Sequence, residues 1–72
     1  MKEYNVAIVG ATGAVGEKML GLLEKASFPI KSLKLLASKR SVGKVKTFRG
    51  QELQIEETTD DSFEGIDIAL FS

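Results

Sequence analysis

The sequence predicts an α/β fold built on a parallel sheet, and three patterns carry that prediction. The apolar, β-branched run Tyr4–Val9 is typical of a strand buried inside such a sheet. Glycines follow at Gly10, Gly13 and Gly16, and from Ala14 onward apolar residues recur at helical spacing. Strand, glycine turn and helix in this order are the start of a Rossmann-like, dinucleotide-binding fold.

Each glycine of this G-x-x-G-x-x-G turn has a predicted use. Glycine at the turn permits a positive φ and lets the phosphates approach the backbone, a close approach that Gly13 is expected to need, and Gly16 lets the helix lie close to its strand. The helix N-terminus offers free N–H groups and partial positive charge to a pyrophosphate. Two roles fit Thr12, which can cap the helix or place its hydroxyl on a phosphate. The alternative is a tight strand-to-helix turn with no ligand.

The remaining elements follow from local patterns. Pro29 cannot continue the helix, so we expect it to end near Ser27. A second strand is predicted at Leu33–Ala37, and a polar loop at Ser38–Lys44 follows it. The two arms of a hairpin, Val45–Phe48 and Glu52–Glu56, are predicted on either side of Arg49-Gly50-Gln51. One helical turn at Thr58–Phe63 and a last strand at Ile66–Phe71 complete the prediction. We expect Arg49 in the hairpin turn to be solvated.

A sheet of about four strands is expected, in the order third, second, first, fourth, with the first and fourth adjacent. Only one long helix is available to cover it. The sheet face that carries Val6, Ile8, Leu35, Ile68 and Leu70 should therefore be partly bare. We expect residues 1–72 to be the front, truncated part of a longer domain, and the isolated chain to be unfolded, molten or self-associated. The alternative is a mini-domain closed by self-association.

Composition narrows the classes of protein. The chain has 72 residues, 43% of them apolar and 28% charged, with zero formal net charge. That balance argues against a general nucleic-acid or membrane-surface binder. The chain has no cysteine and no histidine, which excludes disulfides, thiolate metal sites and the commonest general base within these residues. No signal-peptide pattern is visible and no apolar run could span a bilayer, so a cytoplasmic protein is expected.

A second candidate site follows the second strand, where NAD enzymes carry an acidic residue for the ribose 2′-hydroxyl. This sequence has Ser38, Lys39, Arg40 and Ser41 there instead. A guanidinium and serine hydroxyls suit a 2′-phosphate, which favours NADP, with Arg40 and Ser41 as the better candidates. The alternative is a solvated basic loop. Ser72, at the end of the last strand, is expected to line the cofactor cleft through its backbone, unless it is a frayed chain end.

Three segments resemble the N-terminus of bacterial aspartate-semialdehyde dehydrogenases: Val6–Gly16, Ala37–Lys44 and Phe63–Ser72. The glycine motif is shared by many nucleotide-binding families. Its pairing with S-x-R-S-x-G-K and F-E-G-x-D-I-A-L-F-S is far more specific, and the resemblance runs over essentially the whole chain.

The resemblance implies an enzyme that reduces L-aspartyl 4-phosphate with NADPH to the semialdehyde and releases phosphate, toward lysine, threonine and methionine. It implies that Thr12, Gly13, Ala14 and Val15 lie on the cofactor phosphates and that Arg40 and Ser41 hold the 2′-phosphate. It also implies a homodimer or homotetramer. The family's catalytic cysteine, histidine and substrate-binding arginines have no counterpart in these 72 residues, so we expect cofactor binding alone.

Two other interpretations remain open. One is the corresponding part of N-acetyl-glutamyl-phosphate reductase, which has the same mechanism and a different substrate. The other is a non-catalytic nucleotide-binding or redox-sensing module.

Overall fold

The computed structural model describes residues 2–71 and shows a five-stranded sheet with an α-helix against one face. In chain order the elements are β1 (Tyr4–Val9), α1 (Ala14–Lys25), β2 (Ile30–Ala37), a 3₁₀ turn (Lys39–Ser41), β3 (Val45–Phe48), β4 (Gln51–Glu57), a second 3₁₀ turn (Asp60–Phe63) and β5 (Ile68–Phe71). The predicted α/β fold, with its βαβ start, hairpin and further parallel strand, is confirmed.

The sheet order is β3-β4-β2-β1-β5. β1 pairs in parallel with β2 and β5, β2 pairs in parallel with β4, and β3 runs antiparallel to β4. The last strand therefore lies beside the first, as predicted. The sheet has five strands rather than about four because both arms of the hairpin join it, and the second arm pairs with β2.

The core lies between α1 and the sheet. Leu20 of α1 belongs to the same buried cluster as Ile8, Leu35 and Ile55, which are at most 1% exposed. Side chains alternate along a strand, so these sheet residues occupy the face that the helix covers. The expectation that Val6, Ile8 and Leu35 would be partly bare is wrong, because all three are buried. Ile68 and Leu70 are half-buried.

The opposite face of the sheet carries both apolar and polar residues. Ala7 and Leu36 on this face are fully buried. Lys34 donates a hydrogen bond from its Nζ to the carbonyl oxygen of Ser62, at 3.2 Å, which holds the second 3₁₀ turn over this face. Phe63 and Phe71 stack at 6.1 Å between ring centroids, yet 65% of Phe71 is exposed. The exposed apolar surface of this face is therefore concentrated near β5. The behaviour of the isolated chain stays a prediction.

The hairpin is fastened to α1 through Arg49. Arg49 and Gly50 have φ values of 50° and 82°, the paired positive values of a two-residue type I′ turn. The Arg49 guanidinium donates from Nη2 to the carbonyl oxygens of Leu23, Ala26 and Phe28 at 3.0, 2.8 and 3.2 Å. Cations stabilise a helix C-terminus by binding its free carbonyl groups. Arg49 is exposed, as expected, and in addition it caps α1.

Several element boundaries differ from the sequence prediction, and three of them have a tertiary cause. The helix ends at Lys25 rather than near Ser27, because Arg49 binds carbonyl groups on both sides of that point. β2 begins at Ile30, where it already pairs with Tyr4 of β1. β5 begins at Ile68 rather than Ile66, after the Asp67 amide and carboxylate bind the backbone of the first strand.

Two glycines of α1 offer a matched pair of variants. A Cβ on Gly16 would lie 2.1 Å from the carbonyl oxygen of Gly10, whereas a Cβ on Gly21 would meet nothing within 4 Å. Gly16→Ala should lower the free energy of unfolding by about 1–3 kcal/mol, because helix and turn must separate. Gly21→Ala should raise it by about 0.5–1 kcal/mol through helix propensity. Urea denaturation measures both, and equal effects of the two variants would contradict this account.

Candidate functional site

The glycine turn is fixed against β2 by its own backbone. The N–H groups of Gly10 and Ala11 both donate to the carbonyl oxygen of Leu36, at 2.8 and 3.0 Å, and the N–H of Gly13 donates to the carbonyl oxygen of Gly10 at 3.1 Å. Gly10 has a φ of 81°, which side chains rarely tolerate. The turn is therefore rigid before any ligand arrives.

The N-terminus of α1 opens at this turn without a side-chain cap. Gly13 is the N-cap residue, with φ −77° and ψ 167°, and no side chain bonds to the cap. The first N–H groups of a helix have no acceptor within the helix, so those of Ala14 and Val15 are directed outward. Gly13, Ala14 and Val15 are all exposed. This end of α1 can therefore donate to an anion.

Gly13 has a conformation that any residue can adopt. A Cβ added there would be 3.6 Å from the nearest atom, the carbonyl oxygen of Gly10, which is ordinary contact. The fold itself therefore does not require glycine at this position. The space that such a Cβ would occupy lies beside the open N–H groups, where a close-lying phosphate would need it free.

The loop after β2 is a short 3₁₀ turn with two different surfaces. The N–H of Ser41 donates to the carbonyl oxygen of Ser38 at 2.9 Å, and Ser41 itself is only 9% exposed. Ser38, Lys39 and Arg40 are exposed. Within residues 2–71 the Arg40 side chain has no hydrogen-bond or ion-pair partner. The loop therefore carries an exposed guanidinium at Arg40 and a nearly buried hydroxyl at Ser41.

A hydrogen bond joins this loop to the glycine turn. The hydroxyl oxygens of Thr12 and Ser41 lie 3.3 Å apart. The two loops follow the carboxyl ends of adjacent parallel strands, which is where open α/β sheets bind ligands. Of the two roles considered for Thr12, the cap is not observed. The structure thus brings eight of the predicted site residues together at the edge of the sheet formed by the carboxyl ends of the strands: Gly10, Thr12, Gly13, Ala14, Val15, Ser38, Arg40 and Ser41.

One acidic residue in the first turn of α1 is neutralised. Lys46 of β3 donates from Nζ to Oε1 of Glu17 at 2.7 Å. This hydrogen bond, and then the charge of Lys46, lowers the pKa of Glu17 below its usual value. The ion pair is therefore present above the ordinary pKa of a glutamate and is lost as the pH falls through the lowered value. At neutral pH the carboxylate is paired, which weakens its repulsion of an anion at the helix N-terminus.

Thr58 is a residue at this edge that the sequence analysis did not single out. It follows β4, and its N–H and hydroxyl both donate to the carbonyl oxygen of Ala37, at 3.0 and 3.3 Å. This places it beside Ser38. The available signal was its position directly after the two glutamates, Glu56 and Glu57, that end β4.

Other features lie outside this edge. Ser72 falls outside the described residues, although Phe71 before it pairs with Val9 and so reaches the carboxyl end of β1. A depression of about 250 Å³ lies at the opposite end of the sheet, between the amino-terminal parts of β2 and β4, and includes Leu33, Arg49 and Leu53 in its lining. Residues 2–71 contain no group of three or more acidic, histidine or cysteine side chains placed to hold a metal ion.

No helix in the part of the chain that the structure describes is both long and apolar enough to cross a membrane.

Comparison with solved structures places this arrangement among known folds. A crystal structure from Vibrio cholerae, described as aspartate semialdehyde dehydrogenase II complexed with ASA, superposes with a TM-score of 0.93 at 46% identity, over 99% of this chain and 24% of that one. A structure of a probable aspartate-semialdehyde dehydrogenase from Pseudomonas aeruginosa gives a TM-score of 0.91 at 39% identity, over 99% of this chain and 21% of that one.

Sequence relatives agree with the structural ones. Aspartate-semialdehyde dehydrogenases from Legionella pneumophila and Bacillus subtilis are 59% and 57% identical, over 99% and 94% of this chain. The chain spans about a fifth of the length of these curated relatives, 20% in both cases. The family profile described as "Semialdehyde dehydrogenase, NAD binding domain" matches residues 5–72. The chain therefore belongs to the semialdehyde dehydrogenase family and corresponds to its nucleotide-binding domain.

Proposed function

We propose that these residues form the NADP-binding part of an aspartate-semialdehyde dehydrogenase, which reduces L-aspartyl 4-phosphate to L-aspartate 4-semialdehyde and releases phosphate. The observation that carries the proposal is the convergence of the uncapped α1 N-terminus and the Ser38–Ser41 loop at one edge of the sheet. The names and identities of the relatives support the choice of substrate.

The donor set fits a nucleotide with several phosphates. The N–H groups at the start of α1 suit a pyrophosphate, and the space beside Gly13 lets it approach the backbone. Ser38, Arg40 and Ser41 replace the carboxylate that would bind a free 2′-hydroxyl. Arg40 is exposed and without a partner among residues 2–71, so it is available to a 2′-phosphate. These features support NADP rather than NAD.

The role of this chain is to bind and orient the cofactor. Bound NADPH supplies a hydride; the turn and the loop described here hold its phosphates. The reduction of an acyl phosphate through a thioester also needs a thiolate and a proton donor. The 72 residues contain neither cysteine nor histidine. We propose that these groups, the substrate site and the contacts of a homodimer or homotetramer belong to a longer polypeptide that works in the cytoplasm, with no nucleic-acid or membrane partner.

The reaction itself gives the first test. The longer polypeptide that carries these residues should reduce NADP⁺ when supplied with aspartate semialdehyde and inorganic phosphate, and should stop when phosphate is omitted. The formation of NADPH is followed by its absorbance. N-acetylglutamate semialdehyde serves as the control substrate. Faster turnover of that control would identify the protein as an N-acetyl-glutamyl-phosphate reductase instead. Binding of NADPH with no turnover of either aldehyde would favour a non-catalytic module.

The open space beside Gly13 gives a second test. Gly13→Val places a side chain where the pyrophosphate should lie, while the Cβ itself meets only ordinary contact within the protein. Nucleotide binding should be lost and the helical circular dichroism should remain. Titration of NADPH fluorescence measures binding. Unchanged NADPH affinity in a folded variant would remove the glycine turn from the site.

Arg40 gives a third test, which separates NADP from NAD. Arg40→Ala should weaken NADPH binding by about 1.5–3 kcal/mol, because one charge-assisted hydrogen bond to the 2′-phosphate is lost. NADH lacks that phosphate, so its affinity should change little. Lys39→Ala, on the neighbouring exposed cation, is the matched control and should have a smaller effect. Equal losses for the two cofactors would reject the 2′-phosphate assignment.

A further inference from the structure

The contact between Thr12 and Ser41 limits what these two hydroxyls can do. Their oxygens are 3.3 Å apart, and no other partner of the Ser41 hydroxyl is seen within residues 2–71. A hydroxyl has one hydrogen to donate and two lone pairs that accept. When two hydroxyls bond to each other, one hydrogen is used between them and one remains. The pair can therefore donate outward to one phosphate, not to two.

The backbone N–H groups near each candidate phosphate position indicate which phosphate receives the remaining hydroxyl hydrogen. The pyrophosphate position already faces the free N–H groups at the start of α1, so it does not depend on a hydroxyl donor. The polar backbone groups of Ser41 are engaged, since its N–H donates to Ser38 and its carbonyl oxygen accepts from Lys44. Its hydroxyl is then the one donor that Ser41 can offer to a ligand. We therefore expect the remaining hydroxyl hydrogen of the pair to be on Ser41, where no backbone N–H can replace it as a donor to a ligand.

We infer that Thr12, a residue of the glycine turn, determines specificity for the 2′-phosphate by donating to Ser41 and thereby directing the Ser41 hydrogen to that phosphate. Thr12 is a positioning residue in this arrangement and makes no contact with the 2′-phosphate itself. The inference rests on the proposed binding of NADP. It also couples the two loops, because a ligand group held by one loop depends on a side chain of the other.

Two small nucleotides distinguish a relay, in which Thr12 donates to Ser41 and Ser41 donates to the 2′-phosphate, from a direct contact between Thr12 and a phosphate. 2′-AMP has its phosphate on the 2′ oxygen and has no pyrophosphate; ADP has the diphosphate and no 2′-phosphate. On the NADPH-binding polypeptide, Thr12→Val should weaken 2′-AMP binding about three- to tenfold, the loss of one hydrogen bond, and leave ADP binding within about twofold. Thr12→Ser keeps the hydroxyl and should restore 2′-AMP binding. Isothermal titration calorimetry measures each affinity.

Non-additivity tests the shared hydrogen. Ser41→Ala should weaken 2′-AMP binding, and the double variant Thr12→Val with Ser41→Ala should bind no more weakly than Ser41→Ala alone, since both changes remove one relay. Thr47→Val, which removes an exposed hydroxyl in β3, is the control and should change neither affinity. Circular dichroism confirms that each variant is folded.

The opposite results are equally distinct. A Thr12→Val variant that loses ADP affinity and keeps 2′-AMP affinity would place Thr12 directly on the pyrophosphate and overturn the relay. Fully additive losses in the double variant would overturn it as well. If the unaltered protein binds neither NADPH nor ADP, the proposed function itself fails, whereas failure of the relay alone leaves NADPH binding intact.

Discussion

The close approach of α1 to the glycine turn is the constraint on which the rest of the arrangement depends. A Cβ at Gly16 would lie 2.1 Å from the Gly10 carbonyl oxygen and 2.8 Å from the Cα of Ala11, so helix and turn meet as bare backbones. The glycine turn itself is held against β2, because the N–H groups of Gly10 and Ala11 donate hydrogen bonds to the Leu36 carbonyl oxygen. Moving the helix outward would carry its N-terminal N–H groups away from the end of β2, where the Ser38–Ser41 loop begins.

The hairpin holds the same helix from its other side. Lys46 pairs with Glu17 in the first turn of α1, and Arg49 binds carbonyl groups at its end. The hairpin stands where a crossover helix would ordinarily connect two parallel strands. Since it reaches across to α1, it keeps the helix in place while β4 continues the sheet beside β2.

Local patterns were sufficient for the elements and insufficient for the contacts between them. The bounds of β1, the start of α1 and the hairpin could be predicted because periodicity, glycine spacing and turn chemistry are read from neighbouring residues. The capping role of Arg49, the earlier end of α1 and the identity of the covered sheet face all depend on residues distant in sequence. The same holds for the candidate site. The glycine turn and the basic loop were recognisable, but the bond from Thr12 to Ser41, 29 residues away, required the fold.

The two outer strands of the sheet, β3 and β5, differ in how readily a further strand could pair with them. At one edge β3 carries Lys46, which is engaged with Glu17, and a lysine on an edge strand discourages another strand from pairing there. At the other edge β5 runs parallel to β1, with Phe71 opposite Val9 and largely exposed. A strand added beside β5 would be separated from β1 and its glycine turn by β5 alone, whereas a strand added beside β3 would be separated from β2 by two strands. Growth of the sheet at β5 would thus build new structure near the candidate site, and growth at β3 would leave its surroundings unchanged.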